Sequence, residues 1–301
     1  MTVAPVAERK PTVVVGGAGA VGTMLADLYR CTGANVVVVD RTDPETVGRY
    51  VHGDITAPGP ALRELLRSAA TVLLAVPETV AVAALPRIAD LLDADAVLVD
   101  TLSVKSRFAD AVGASELSCA ALGVNPMFAP SLDPKGRPIA AVTYRPGPGV
   151  DATVRTLEST GAVVTPLAAG EHDELTALTQ ALTHASILAF GLALADAGAN
   201  GSELAALGTP PHLTSLALLA RVTGGTPEVY WDVQAGNPAA PDARRRLADA
   251  LALLDDTVEG GDEETFAALM TRASSALGAH ADAFRDLCGQ LFADLRRKDE
   301  T

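Results

Sequence analysis

The sequence predicts an α/β chain: a doubly wound sheet over residues 1–168, then an all-helical domain over residues 169–301. Three observations carry that reading. Short β-branched runs alternate with helical stretches as far as residue 166, the pattern of parallel strands joined by crossover helices. A glycine-rich turn follows the first run and opens a helix. Beyond Gly170 the strand signals vanish, and long Ala/Leu stretches at helical spacing take over. With 301 residues, 49% apolar and 20% charged, the chain is long enough for one large core or two adjoining ones.

In chain order, strands are expected at 12–15, 36–40, 71–76, 96–100, 119–124, 139–144 and 162–166. The runs VVVV (36–39) and VLLAV (72–76) are apolar throughout, so the sheet is expected to be covered on both faces. In the second half, helices are expected near 171–197, 202–207, 211–222, 227–235, 242–258 and 262–295, with Gly and Pro marking the breaks. The first of these is apolar almost all round (LTALTQALTHASILAFGLALA) and must be buried on several sides. A second copy of the chain is an obvious cover, which predicts a homodimer through the helical domain.

A formal charge of −14 and an isoelectric point near 4.7 leave no basic field for a phosphate backbone. Nucleic acid and anionic membranes are therefore not expected partners. An anionic small molecule has to find its positive groups locally. Mean hydropathy is +0.25, yet each apolar run is read as interrupted by Pro, Glu, Gln, His or Gly before a membrane span is complete. The opening MTVAPVAERK lacks a central apolar block, so a soluble, cytoplasmic protein is predicted. Cys31, Cys119 and Cys288 are far apart and odd in number, which gives neither a disulfide frame nor a metal clip. The five histidines show no zinc-site spacing, so no metal is implied.

The string VVVGGAGAVG sets Gly17, Gly19 and Gly22 in G-x-G-x-x-G spacing, directly after a strand and at the start of a helix. This is the Rossmann-type fingerprint of dinucleotide binding. On that reading Gly17 makes the tight turn, Gly19 admits the pyrophosphate and Gly22 lets helix and strand pack, while Ala18, Ala20 and Val21 line the loop. The second strand ends at Asp40, 18 residues beyond Gly22, where an acid accepts the ribose hydroxyls and repels a 2′-phosphate. NAD is therefore expected over NADP. Arg41 is placed to flank the adenine, and Val76 and Pro77 complete the expected cofactor-contacting set.

Four further strings, DTLSVKS (100–106), GVNPMFAPS (123–131), EHDELTALTQALTHA (171–185) with FGLALAD (190–196), and TPPHLTSLALLAR (209–221), resemble the prephenate dehydrogenase family across nearly the whole chain. The resemblance implies a Rossmann domain, a helical dimerisation domain, and hydride loss from C4 of a cyclohexadiene with departure of carbon dioxide. It also implies roles: Ser103 of the S-V-K motif bonds the C4 substituent, Lys105 completes that motif, and Met127 belongs to the N-P-M frame. His184 lines the substrate pocket, with Gln180 one turn earlier, and His172 holds the E-H-D position. Ser103 could instead cap the helix that begins near Lys105, and His172 could be a surface residue.

Two positions depart from the family pattern. Where the motif reads G-x-H-P-M, this chain has Asn125, an amide without useful proton affinity. At Leu213 the family places a substrate-binding arginine. Arg221, Arg137, Lys105 and His212 are the candidate replacements. A hydroxyl at C4 needs a base as the hydride leaves, whereas a neutral amine pushes with its own lone pair. The expected substrate is therefore 4-amino-4-deoxyprephenate, giving 4-aminophenylpyruvate. The rivals are a prephenate or arogenate dehydrogenase with His184 or His212 as base, and a catalytically silent NAD-binding dimer.

Overall fold

The computed structural model describes residues 9–42 and 48–295. The chain divides into two compact units, Met1–Thr176 and Ala177–Thr301. In the first unit the elements run β1 (Thr12–Val15), α1 (Ala20–Cys31), β2 (Val36–Asp40), β3 (Arg49–His52), α2 (Pro60–Ser68), β4 (Thr71–Leu74), α3 (Glu78–Ile88) and β5 (Val97–Asp100). They continue as α4 (Ser106–Ala114), β6 (Ala120–Pro126), β7 (Pro138–Arg145), α5 (Pro148–Glu158), β8 (Val163–Pro166) and α6 (Ala169–Thr176).

The strands form one sheet in the order β3-β2-β1-β4-β5-β6-β7-β8. Strand order reverses between β1 and β4, and in such sheets the crevice beyond the carboxyl ends at that point is where ligands bind. Alternation along the buried strands feeds two cores: Val13, Val15 and Leu74 pack into one layer, Val14, Val38 and Leu73 into the other. Both faces are covered, as the apolar runs require.

Two features of the sheet differ from the sequence expectation. Strand β3, RYVH, carries exposed residues at both ends and lies on the edge, so it lacks an apolar run to announce it. β6 and β7 pair antiparallel. Residues 127–137 between them contain no helix, and a parallel return would need a crossover.

The second unit is helical: a π-type turn (Ala177–Ala181), α7 (Leu182–Asp196), α8 (Gly201–Leu207), α9 (Pro210–Thr223), α10 (Pro227–Trp231), a second π-type turn (Asp232–Gly236), α11 (Ala240–Gly260), α12 (Glu263–Ser274), a 3-10 segment (Ser275–His280) and α13 (Ala281–Leu295). The expected helix at 262–295 is broken by Gly278, whose φ of 53° lies outside the helical region. Its start is fixed by a capping box between Asp262 and Thr265.

The helical stretch Ala169–Asp196 is 28 residues long, and its length and composition would suit a membrane span. The sequence reading counted Gln180, His184 and Gly191 as interruptions, but the helix accommodates all three. No residue of α7 is buried.

The boundary between the units falls inside this stretch, whereas the sequence places it at 168/169. His172 and Asp173 explain the difference. Both side chains are buried and hydrogen-bonded to groups on and beside the sheet, so the first two turns of the helix belong to the first unit.

Candidate active site

The crevice at the reversal point, about 330 Å³, is lined by the β1–α1 turn, the end of β2 and the segment after β4. Of the residues the sequence singles out, Ala18, Gly19, Asp40, Arg41, Val76 and Pro77 line it. Gly17, Ala20, Val21 and Gly22 do not, and the first and last of these act through packing. A Cβ on Gly22 would lie 2.2 Å from the Gly16 carbonyl oxygen, and one on Gly17 would lie 2.6 Å from Val38. The tight turn itself is made by Gly16, not Gly17: its φ is 78°, and a Cβ there would lie 2.1 Å from the Ala75 carbonyl oxygen. The signal for Gly16 was the doubled glycine, which the G-x-G-x-x-G spacing passes over.

Helix α1 opens at Gly19 with no side-chain cap and no acid in its first turn. Its free amide groups and the helix dipole suit an anionic group such as a pyrophosphate. Asp40 Oδ2 accepts the Ala18 N–H at 3.0 Å, while Oδ1 accepts from the N–H groups of Arg41 and Thr42 at 2.7 and 3.1 Å. Burial pushes this carboxyl up, but these donors outweigh it and hold Asp40 below the usual carboxylate range. Its charge is therefore fixed at neutral pH. The cradle fits a dinucleotide with free ribose hydroxyls.

A second cluster lies at the carboxyl ends of β5 and β6. Lys105 is 0% exposed, and its Nζ donates to Asp100 Oδ1 at 2.6 Å and to the Val124 carbonyl at 3.0 Å. Burial pulls the lysine down from its usual range, with Asp100 pulling the other way. Asp100 Oδ1 also accepts the Leu102 N–H at 2.9 Å. The Lys105 ammonium thus ties the loop carrying Ser103 to the end of β5 through Asp100 and to the strand carrying Asn125 through the Val124 carbonyl. Gly123 leaves room above this pair for Tyr144: a Cβ on Gly123 would lie 2.2 Å from the Tyr144 hydroxyl. Burial, then the nearby Asp100 charge, raises the phenol well above its usual range.

Asp173 on α6 reaches into the same cluster. Its Oδ1 accepts the Lys105 N–H at 2.8 Å and its Oδ2 the Ser106 N–H at 2.9 Å, which caps α4. His172 Nδ1 lies 2.8 Å from Asp173 Oδ1, and His172 Nε2 lies 3.1 Å from Asn125 Nδ2. All three side chains are buried. Burial acts to raise Asp173, but hydrogen bonds from His172, Ser106 and Lys105 hold it below the usual range.

In the helical unit, Gln180 is half-buried in the first π-type turn. The ring of His184 on α7 meets Tyr230 edge-on at 4.9 Å, and burial lowers this imidazole below its usual value. Leu213 on α9 packs over Gly208, where a Cβ would lie 2.7 Å from the leucine Cδ2. His212 meets Phe190 edge-on at 5.7 Å.

No family model matches the chain. It is 48% identical over 285 residues, 94% of this chain and 96% of the relative, to 4-amino-4-deoxyprephenate dehydrogenase from Streptomyces pristinaespiralis. The chain belongs to the prephenate dehydrogenase family. Its fold matches a prephenate dehydrogenase structure from Corynebacterium glutamicum with TM-score 0.70 at 21% identity, covering 91% of this chain and 90% of the other. It also matches that of Aquifex aeolicus prephenate dehydrogenase in complex with hydroxyphenyl propionate and NAD+, with TM-score 0.66 at 17% identity, covering 89% and 96%.

Three sequence readings are corrected by the geometry. Lys105 is not free to bind substrate, because its ammonium is enclosed and spent on Asp100 and Val124. Ser103 does not cap α4, since Asp173 does so, and no hydrogen bond within the described residues ties the Ser103 hydroxyl. His172 is not a surface residue but a fully buried partner of Asn125. The E-H-D string is the signal for it, but a string alone does not show which face of the helix is turned to the sheet. Met127 is half-buried just past β6, its N–H bonded to the Pro138 carbonyl. Among the candidate cations, Arg137 donates from Nε to the Asp133 carbonyl at 2.8 Å.

Proposed function

We propose that the chain oxidises 4-amino-4-deoxyprephenate with NAD, releasing carbon dioxide and 4-aminophenylpyruvate. The observation that carries this reading is Asn125, a buried amide at the position where the family resemblance implies a histidine base. NAD, when bound, accepts the hydride from ring C4. Gly16, Gly19 and the α1 N-terminus cradle its pyrophosphate, Asp40 selects ribose hydroxyls, and Arg41, Val76 and Pro77 line the adenine and nicotinamide path.

Ser103 and Asn125 face the C4 substituent on this reading. Neither takes a proton at neutral pH, so neither helps a hydroxyl that must lose one as the hydride departs. A neutral C4 amine supplies its own lone pair to the carbon and becomes an iminium. The electrons of the breaking C1–carboxylate bond then restore the amine and complete the aromatic ring, with no net proton removed. Asn125 Oδ1 accepts an amine N–H and orients that lone pair. Met127 is the proposed substrate-facing residue beside them, and the family resemblance implies Gln180, His184 and the position of the apolar Leu213 as further substrate contacts. His184 is the proposed third member of the catalytic set, and the lost cation at 213 suits a substrate that carries nitrogen.

The test is turnover of both substrates by NADH formation. Faster reaction with the 4-amino compound is expected, and faster reaction with prephenate overturns the assignment. One observation favours a second reading: burial keeps His184 neutral and so able to accept a proton. Prephenate or arogenate oxidation through His184 predicts a pH–rate profile that His184→Gln abolishes.

We also infer a homodimer. Helix α7 buries none of its residues within the chain, Leu192 is 65% exposed and Trp231 70%. A second copy covers such a surface, consistent with a cytosolic enzyme acting on a small anionic substrate rather than on nucleic acid or membrane. Light scattering is expected to give twice the chain mass. A monomer, or a chain that partitions into membranes, contradicts this.

A further inference from the structure

The amide of Asn125 has two ends, and its chemistry at the ring depends on which one faces outward. Asp173 is an anionic acceptor that already takes the N–H groups of Lys105 and Ser106. It has no proton to give, so the 2.8 Å contact to His172 requires the proton on His172 Nδ1. A neutral imidazole protonated there presents a lone pair at Nε2. At 3.1 Å that lone pair accepts from Asn125 Nδ2, which leaves Asn125 Oδ1 pointing away from the helix.

We propose that His172, held in its Nδ1–H tautomer by Asp173, is a positioning residue that locks the Asn125 amide with its oxygen toward the C4 substituent. This rests on the substrate assignment above and deepens it. The exposed end of residue 125 is then an acceptor, which takes an N–H of the neutral amine and leaves the nitrogen lone pair to the ring. A flipped amide would point an N–H at that lone pair and oppose the electron push. Because His172 and Asp173 are adjacent on α6, one helical turn fixes both the α4 cap and the orientation of Asn125.

The first test is the tautomer itself. The chain has five histidines, so a 15N-histidine spectrum of the intact enzyme is tractable, with the His172 signal identified by its loss in His172→Gln. A protonated Nδ1 and an unprotonated Nε2 are expected, whereas an Nε2–H tautomer or an imidazolium overturns the proposal. The second test is kinetic. His172→Leu removes the acceptor for Asn125 and is expected to lower kcat on the 4-amino substrate by about 10²-fold, with NAD affinity retained. His172→Gln restores an acceptor near Nε2 and is expected to recover at least about tenfold of that loss. Wild-type kcat in the leucine variant overturns the proposal. If that variant does not fold, the wild-type tautomer decides. An enzyme that ignores the 4-amino compound yet shows the Nδ1–H tautomer supports the lock and overturns the substrate assignment instead.

Discussion

Lys105 Nζ lies 2.6 Å from Asp100 Oδ1 with both side chains fully buried, joining the end of β5 to the Val124 carbonyl of β6. Removing one partner of such a pair leaves a charge stranded away from water, which costs about 3–5 kcal/mol. Lys105→Met is accordingly expected to lower unfolding stability by about that much in urea titrations. Lys105→Met combined with Asp100→Asn is expected to recover much of the loss, because neither charge of the pair is left without its partner. A lysine that served the substrate would instead raise KM and leave stability unchanged.

Asn125→His restores a base at position 125, and the partner for it is already in place. His172 Nε2, 3.1 Å from the present amide nitrogen, can accept from one ring N–H of the new histidine and leave the other nitrogen free for a hydroxyl proton. Prephenate turnover is expected to rise by a measurable factor, with ~10²–10⁴-fold as the range a positioned base contributes. NADH formation with prephenate reads this directly. No gain would mean that the apolar Leu213 or the pocket shape sets the preference.

Asp173 makes stability depend on pH. Its carboxyl is held below the usual range in the folded chain by donors from His172, Ser106 and Lys105, against burial. Its stabilisation is therefore fully present above the unfolded-state value of about 3.9 and lost as pH falls through the folded value. Asp173→Asn is expected to reduce stability at neutral pH and to flatten the acid limb of the urea midpoint plotted against pH. An unchanged acid limb would assign that limb to other carboxylates, Asp40 foremost.

The parts of this architecture that repeat were legible in the sequence. β2 announces itself as VVVV, and the G-x-G-x-x-G string locates the crevice at the strand reversal because spacing and context act together. What escaped depends on contacts distant in sequence. Gly16 matters because its backbone turns at positive φ and because Ala75, just past β4, comes close to it. Lys105 reads as a free cation until Asp100 and Val124 close around it. His172 and Asp173 stand 47 and 68 residues from the groups they hold, so only the fold brings their roles into view. The antiparallel return of β7 shows only as the lack of a helix between 127 and 137.

On the proposed function, cofactor choice turns on Asp40. Backbone donors from Ala18, Thr42 and Arg41 outweigh burial and keep its charge at neutral pH, so a 2′-phosphate would meet a fixed anion. The isosteric Asp40→Asn removes that charge and leaves Arg41 beside the ribose position. The ratio of kcat/KM for NADP to that for NAD is expected to rise at least about tenfold, part through lost repulsion and part through the guanidinium. Measuring both cofactors at saturating substrate separates this from general damage, which lowers both values together. A ratio that stays put would shift the discrimination from Asp40 to the shape of the crevice around Gly53 and Ile55, which line the same wall.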